Sequence, residues 1–235
     1  MERLPEFAVW YAVFLFTLTF HEGAHALVAF RGGDDTAHRG GQVTLNPLPH
    51  IRREPFGTIL VPILTFFMSG WMMGWASAPY DRYWAERHPR RLAAMSAAGP
   101  LANLILATAA FVLLKFLIAS GFFVPPQRVG FGHMVTPSAY SEGGFGSGLA
   151  LLLSVLLNLN VLLGLFNLIP LPPLDGAGIA RGLFPGPVGG LLEKLQGNPA
   201  LSIIGLLAAW RIFDYIAPPA FLIVLHLLHP GIYGG

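Results

Sequence analysis

The residues best placed to do chemistry in this chain are Phe20-His21-Glu22-Gly23-Ala24-His25, an H-E-x-x-H pattern. In a helix, positions i and i+4 share a face, so His21 and His25 can turn nitrogens toward one metal ion. Glu22 sits beside them, where a carboxylate can take a proton from water activated at that ion. The surroundings strengthen this reading. From Phe7 to Phe30 the chain is apolar apart from His21, Glu22 and His25. A charged side chain at the centre of a membrane helix costs about 2.5–3.5 kcal/mol. A bound metal ion offsets that cost more directly than a satisfied polar cluster does.

The chain has no cysteine, so any metal must be held by imidazole and carboxylate. A catalytic zinc takes three protein ligands and leaves a fourth position open. The best third candidate is Asp175, in Asn167-Leu168-Ile169-Pro170-Leu171-Pro172-Pro173-Leu174-Asp175-Gly176. Prolines remove backbone donors and stop a helix, which leaves a stiff extended stretch able to project the carboxylate sideways. The plainer alternative is an aspartate that caps the turn following it.

These residues need elements to position them, and the composition says which kind. Hydrophobic residues make up 54% of the 235 and charged residues 11%, far from the roughly 25% charged of soluble domains. The apolar residues are gathered into blocks long enough to cross a bilayer. An all-α, polytopic membrane protein follows, with about five to six transmembrane or re-entrant segments in one domain over residues 1–235. The core that carries the chemistry spans about 7–180. A net charge of +2, with no basic stripe interleaved with aromatics, argues against a nucleic-acid partner. Ala24-His25-Ala26 fits a small-x-small cleavage pattern. The leader, however, holds Glu2 and Glu6 against Arg3, and the apolar block exceeds a signal core, so a spanning helix is expected instead of a removable signal peptide.

The first block, 7–30, rises roughly 36 Å as a helix. Residues 31–55 are polar and rich in Gly and Pro, and the alternation of Val43 and Leu45 suggests a small β-hairpin or extended element after the catalytic helix. Residues 56–79 are apolar but punctuated by Pro62, Gly70, Gly74 and Pro79. Clear helices are expected over 92–120 and 149–168, a turn-rich stretch over 169–199, and one or two segments over 200–229 broken at Pro218-Pro219. Arginines collect in 31–55 and 80–91, whereas 121–148 has only Arg128, so both basic loops belong on the cytoplasmic side. A single ordinary crossing by 56–79 would separate them. A re-entrant path, with a helix entering near Phe56, a turn near Gly70 and an extended return from Trp71 to Pro79, keeps them together; a full crossing is the alternative. In this orientation the helix over 149–168 returns to the cytoplasmic side, and Asp175 reaches the level of His25.

Taken together, these motifs resemble the site-2 protease family of intramembrane zinc metalloproteases, in its compact bacterial type without an appended sensor domain. The H-E-x-x-H matches at His21 to His25, the proline-rich Asp-Gly motif at Asn167 to Gly176, and a G-P-x-x-N motif at Gly99-Pro100-Leu101-Ala102-Asn103. Gly41 to His50 resembles the loop after the catalytic helix. The resemblance spans most of residues 15–180. It implies one Zn2+ per chain on His21, His25 and Asp175, Glu22 as general base, and Asn103 and Asn167 holding substrate or the oxyanion. Local backbone bonding is the alternative for the two asparagines. It implies also a transmembrane protein substrate, cleavage near the cytoplasmic face, and a multi-pass protein of a bacterial cell membrane. Departures from the family pattern are Ala177 in place of a second glycine, Arg52 after the loop histidine, and Ser77-Ala78-Pro79 after Gly74-Trp75-Ala76.

Two other classes compete. A membrane metal transporter or channel would use the same His and Asp cluster without needing Glu22, with ligands recurring along a path; His226 and His229 are the residues to inspect. An inactive scaffold would not need all four central residues. No sequence feature sets the oligomeric state or the physiological substrate.

Overall fold

The computed structural model describes residues 3–233, so Glu2 of the leader lies outside it. Among the described residues, four helices are long and apolar enough to span a membrane: α1 (Leu4–Arg31), α6 (Pro89–Ala119), α7 (Gly144–Asn167) and α10 (Pro199–Leu228). Each exceeds the roughly 20 residues that cross the hydrocarbon core. Between them lie α2 (Thr36–Arg39), α3 (Pro47–Arg53), α4 (Val61–Ser69), α5 (Arg82–Arg87), α8 (Asp175–Leu183) and α9 (Pro187–Gln196). The expected helical, polytopic architecture is present.

At the centre, α6 packs against α1, α7 and α8. One apolar core joins α6 to α7 through Leu114, Leu153 and Leu157, and a second joins α1 to α7 through Trp10, Phe14, Val155 and Leu159. By contrast α10 is largely exposed along its apolar face, as a helix facing lipid would be. Pro218 and Pro219 sit inside it without breaking it. A helix in lipid has no water to take over its freed backbone groups, and prolines are tolerated there more readily than in soluble helices. The expected break therefore does not occur.

Residues 56–81 form a hairpin of helix and extended chain. A π-helical turn, Phe56–Leu60, runs into α4, which ends at Gly70 in the left-handed conformation (φ 81°) that glycine adopts without penalty. From Trp71 the chain runs back along the helix. The Trp75 N–H donates to Gly57 O at 3.1 Å and the Ser77 hydroxyl to Glu54 Oε1 at 2.8 Å. The segment therefore doubles back, bringing Trp75 beside Gly57 and Ser77 beside Glu54.

The loop 31–55 differs from expectation, because it carries α2 and α3 and no strand. Asn46 starts α3 by accepting the Leu48 N–H at 3.0 Å, with Pro47 at the first helical position, a combination that favours a helix start over a strand. Two-stranded pairing lies elsewhere: β1 (Phe123–Val124) and β2 (Thr136–Pro137) form an antiparallel ribbon between α6 and α7.

Candidate active site

Three helices and one loop build the site. His21 and His25 lie one turn apart on α1 and face α6 and the start of α8. His21, Glu22 and His25 are 9, 7 and 6% exposed, nearly closed to solvent. The approach of α6 depends on Gly99. A Cβ built there would lie 2.5 Å from His21 Nε2 and 2.6 Å from His21 Cε1, and would also collide with His25 Nε2. The absent side chain leaves room in front of both imidazole nitrogens.

Asp175 arrives from the other side. After α7 ends at Asn167, the proline-bearing stretch 168–174 leads into α8, whose first residue is Asp175. Its side chain makes no capping bond; Leu174 is the N-cap residue. Gly178 and Gly182, one turn apart, set α8 close on α6 against Ser96 and Ala93. The Asp175 carboxylate then reaches both histidines, Oδ2 lying 3.1 Å from His21 Nε2 and Oδ1 3.3 Å from His25 Nε2. The 3.1 Å approach lacks hydrogen-bond alignment, so Oδ2 is a buried oxygen with no hydrogen-bond donor. The two Nε2 atoms are 3.0 Å apart.

These distances test whether a metal fits. Tetrahedral ligands on zinc at about 2.0–2.1 Å lie roughly 3.3 Å from one another. The 3.0 Å between the two Nε2 atoms, and the 3.1 and 3.3 Å from them to the two Asp175 oxygens, are of that size. The outer hydrogen bonds agree. His25 Nδ1 lies 2.7 Å from Met95 O, a carbonyl that can only accept, so that nitrogen holds the proton and Nε2 presents a lone pair. His21 Nδ1 bonds Asn103 Oδ1. Two imidazole lone pairs and a carboxylate converging out of water are a donor set for a cation, and one carboxylate oxygen of Glu22 lies in the same cluster, within 4.8 Å of the histidine nitrogens.

Both motif asparagines are engaged within the protein. Asn103, only 1% exposed, bonds His21 and donates through Nδ2 to Asn160 Oδ1 at 2.8 Å. Asn167 donates to Leu163 O on its own helix at 3.1 Å. Asn160 was missed by sequence reasoning, although a fully buried asparagine within the apolar run of α7 carries the signal of an expensive intramembrane polar group. His50 is also buried near the site, below the Thr44 carbonyl that lies against Gly23. Burial pushes its imidazole below the ordinary histidine range, against the opposing pulls of Thr44 O and the Glu22 carboxylate. His226 bonds Leu222 O and His229 bonds Met134 O, each 2.7 Å away, so both are engaged locally and do not extend the metal cluster.

Fold and site together define a polytopic helical membrane protein with a metal-competent His-Glu-His cluster between its spanning helices. Residues 9–209 match peptidase family M50, and the chain belongs to that family. The motif resemblance to site-2 proteases is thereby shown, and the chain is a multi-pass membrane protein. It is 39% identical over 170 residues to the Bacillus subtilis (strain 168) protein named "Putative zinc metalloprotease YwhC", covering 72% of this chain and 66% of that one. It is 30% identical over 167 residues to "Putative zinc metalloprotease Rip2" of Mycolicibacterium smegmatis (strain ATCC 700084 / mc(2)155), covering 71% of this chain and 54% of that one. The matched region thus spans less than two thirds of each relative's length. No solved structure matches the chain.

Proposed function

We propose that this chain is an intramembrane zinc metalloprotease. It hydrolyses peptide bonds of transmembrane or membrane-associated proteins near the cytoplasmic face, with His21, His25 and Asp175 holding one zinc ion and Glu22 acting as general base. The observation that carries this reading is the convergence of two imidazole nitrogens and one carboxylate at 3.0–3.3 Å beside Glu22. Residues 7–180 would supply the catalytic core, and 200–229 a lipid-facing C-terminal helix.

Zinc, when bound, supplies a Lewis acid that polarises the scissile carbonyl and lowers the pKa of water. The chain supplies the rest. Glu22 takes the proton from the attacking water and returns it to the leaving amine. Its burial excludes bulk water, which strengthens each charge interaction during proton transfer. The Met95 carbonyl and Asn103 hold the Nδ1 protons of His25 and His21, and zinc would take up their Nε2 lone pairs, which leaves Glu22 as the base. Asn167 remains the candidate for the oxyanion, provided its amide leaves Leu163. Asn103 in this reading acts through His21.

A substrate helix must unwind before its carbonyls can be attacked, since its own hydrogen bonds hide them. The extended return from Trp71 to Pro79 offers an edge to which an unwound segment can add as a strand. Gln42 Nε2 donates to Ser77 O at 3.1 Å and ties this edge to the loop that passes Gly23. Replacing residues 71–79 with a neutral sequence should weaken cleavage; equal affinity and cleavage would refute the edge.

The test of function is cleavage of a co-reconstituted transmembrane substrate in proteoliposomes. Chelation should stop cleavage and added zinc restore it. Metal flux through the liposomes without cleavage would replace this reading with the transporter.

A further inference from the structure

We propose that Asn160 is a positioning residue for the metal centre, acting at one remove: its amide fixes the orientation of Asn103, which in turn fixes the tautomer of His21. The inference rests on the metalloprotease reading for its purpose, but its geometry stands alone. The relay begins at a backbone carbonyl. Asn160 Nδ2 lies 2.8 Å from Leu156 O and 2.9 Å from Thr17 Oγ1. A carbonyl oxygen cannot donate, so the Asn160 nitrogen must face Leu156 and its oxygen must face the other way. That oxygen meets Asn103 at 2.8 Å and can only accept, so Asn103 presents its nitrogen to Asn160 and its oxygen to His21. The Asn103 oxygen then requires a proton on His21 Nδ1.

The consequence is a bare Nε2 on His21, aimed at the bare Nε2 of His25. Reversing any one amide would set two oxygens, or two donors, against each other in the interior. No water is at hand to relieve the mismatch, because Thr17, Asn103 and Asn160 are 0, 1 and 0% exposed. The relay crosses three spanning helices, from α7 through α6 to α1. It returns to α1 at Thr17, one turn before His21, so the helix that carries the histidines is held at both ends of that turn. Amide sense, normally a matter of choice between two fits, is here dictated by the Leu156 carbonyl.

The experiment uses the purified full chain in nanodiscs, with 15N-labelled histidine. Zinc dissociation is measured by chelator competition, and ring-nitrogen shifts are read after the zinc is removed. In wild type, His21 should show the Nδ1–H tautomer alone. Asn160→Leu should admit the Nε2–H tautomer and weaken zinc binding by about 10–100-fold, the usual effect of losing an outer partner of a metal ligand. Asn160→Asp, in its protonated form, would donate its hydroxyl to Leu156 O and present its other oxygen to Asn103 Nδ2, and should keep both the tautomer and affinity close to wild type. Should the leucine variant not fold, Asn160→Ser, whose hydroxyl is too short to reach both partners, should give the same loss. A single His21 tautomer with unchanged zinc affinity in the leucine or serine variant would overturn the relay. So would an aspartate variant as impaired as the leucine one, because a neutral aspartate still offers Asn103 its acceptor. Absence of zinc binding in wild type would instead overturn the metalloprotease reading, and the tautomer, read without metal, would still decide the relay.

Discussion

Replacing Gly99 with alanine is the smallest perturbation aimed at the centre of the site. The added methyl would lie 2.5 Å from His21 Nε2 and 2.6 Å from His21 Cε1, with His25 Nε2 also in collision. Ordinary contact begins at about 3.4 Å, so each imidazole would have to retreat by roughly 1 Å. Metal ligands tolerate only about ±0.2 Å. Neither partner can yield easily, because α6 is packed against α1, α7 and α8 and the rings are pinned by Met95 O and Asn103. Overpacking of this kind also costs about 1–3 kcal/mol of stability. Gly99→Ala should therefore lose zinc by more than the roughly 10–100-fold typical of an outer-shell change, and lose cleavage with it. Zinc content after purification and cleavage of a reconstituted substrate are the readouts. Gly148→Ala, where an added Cβ meets nothing within 4 Å, is the control. A Gly99→Ala protein carrying about one zinc per chain and cleaving at the wild-type rate would refute the placement of the metal between these residues.

Other outcomes follow from neighbouring parts of the structure. Gly178→Leu should push α8 away from Ser96 and carry Asp175 with it, giving weaker zinc binding with α1 intact; unchanged zinc titration would contradict Asp175 as a ligand. Cysteines placed at Arg52 and Arg87 should be labelled from the same side of the membrane, because the 56–81 segment doubles back; labelling from opposite sides would sink the re-entrant path. Asp175→Asn keeps the shape but removes the charge, and should lower zinc affinity by at least about 10-fold in competition assays.

Much of this was legible because two strong signals agree. Apolar length placed α1, α6, α7 and α10 within a few residues, since a bilayer demands about 20 apolar residues whatever their detail. The i, i+4 spacing of His21 and His25, with a carboxylate between them, pointed to the cluster that the structure brings together. Asp175 could be found because only an unusual proline-bearing stretch would bring a carboxylate to that level. Gly70, too, marked the turn at which 56–81 reverses. Less legible were features decided by tertiary contact. Val43 and Leu45 alternate as a strand would, but no partner strand passes them, and Asn46-Pro47 opens a helix instead. Pro218-Pro219 read as a break only under the rules of water. Asn103 was visible as a motif residue, but its partner, Asn160, is 57 positions away, and only the packing of α6 on α7 reveals which way its amide points.

The most direct measurement is the zinc content of the Glu22→Gln protein alongside its cleavage of a co-reconstituted transmembrane substrate. Glutamine keeps the size of the side chain and cannot accept the proton. The account predicts about one zinc per chain, as in wild type, and no hydrolysis. Undiminished cleavage by the Glu22→Gln protein, or cleavage by a chain shown to be free of zinc, would contradict it.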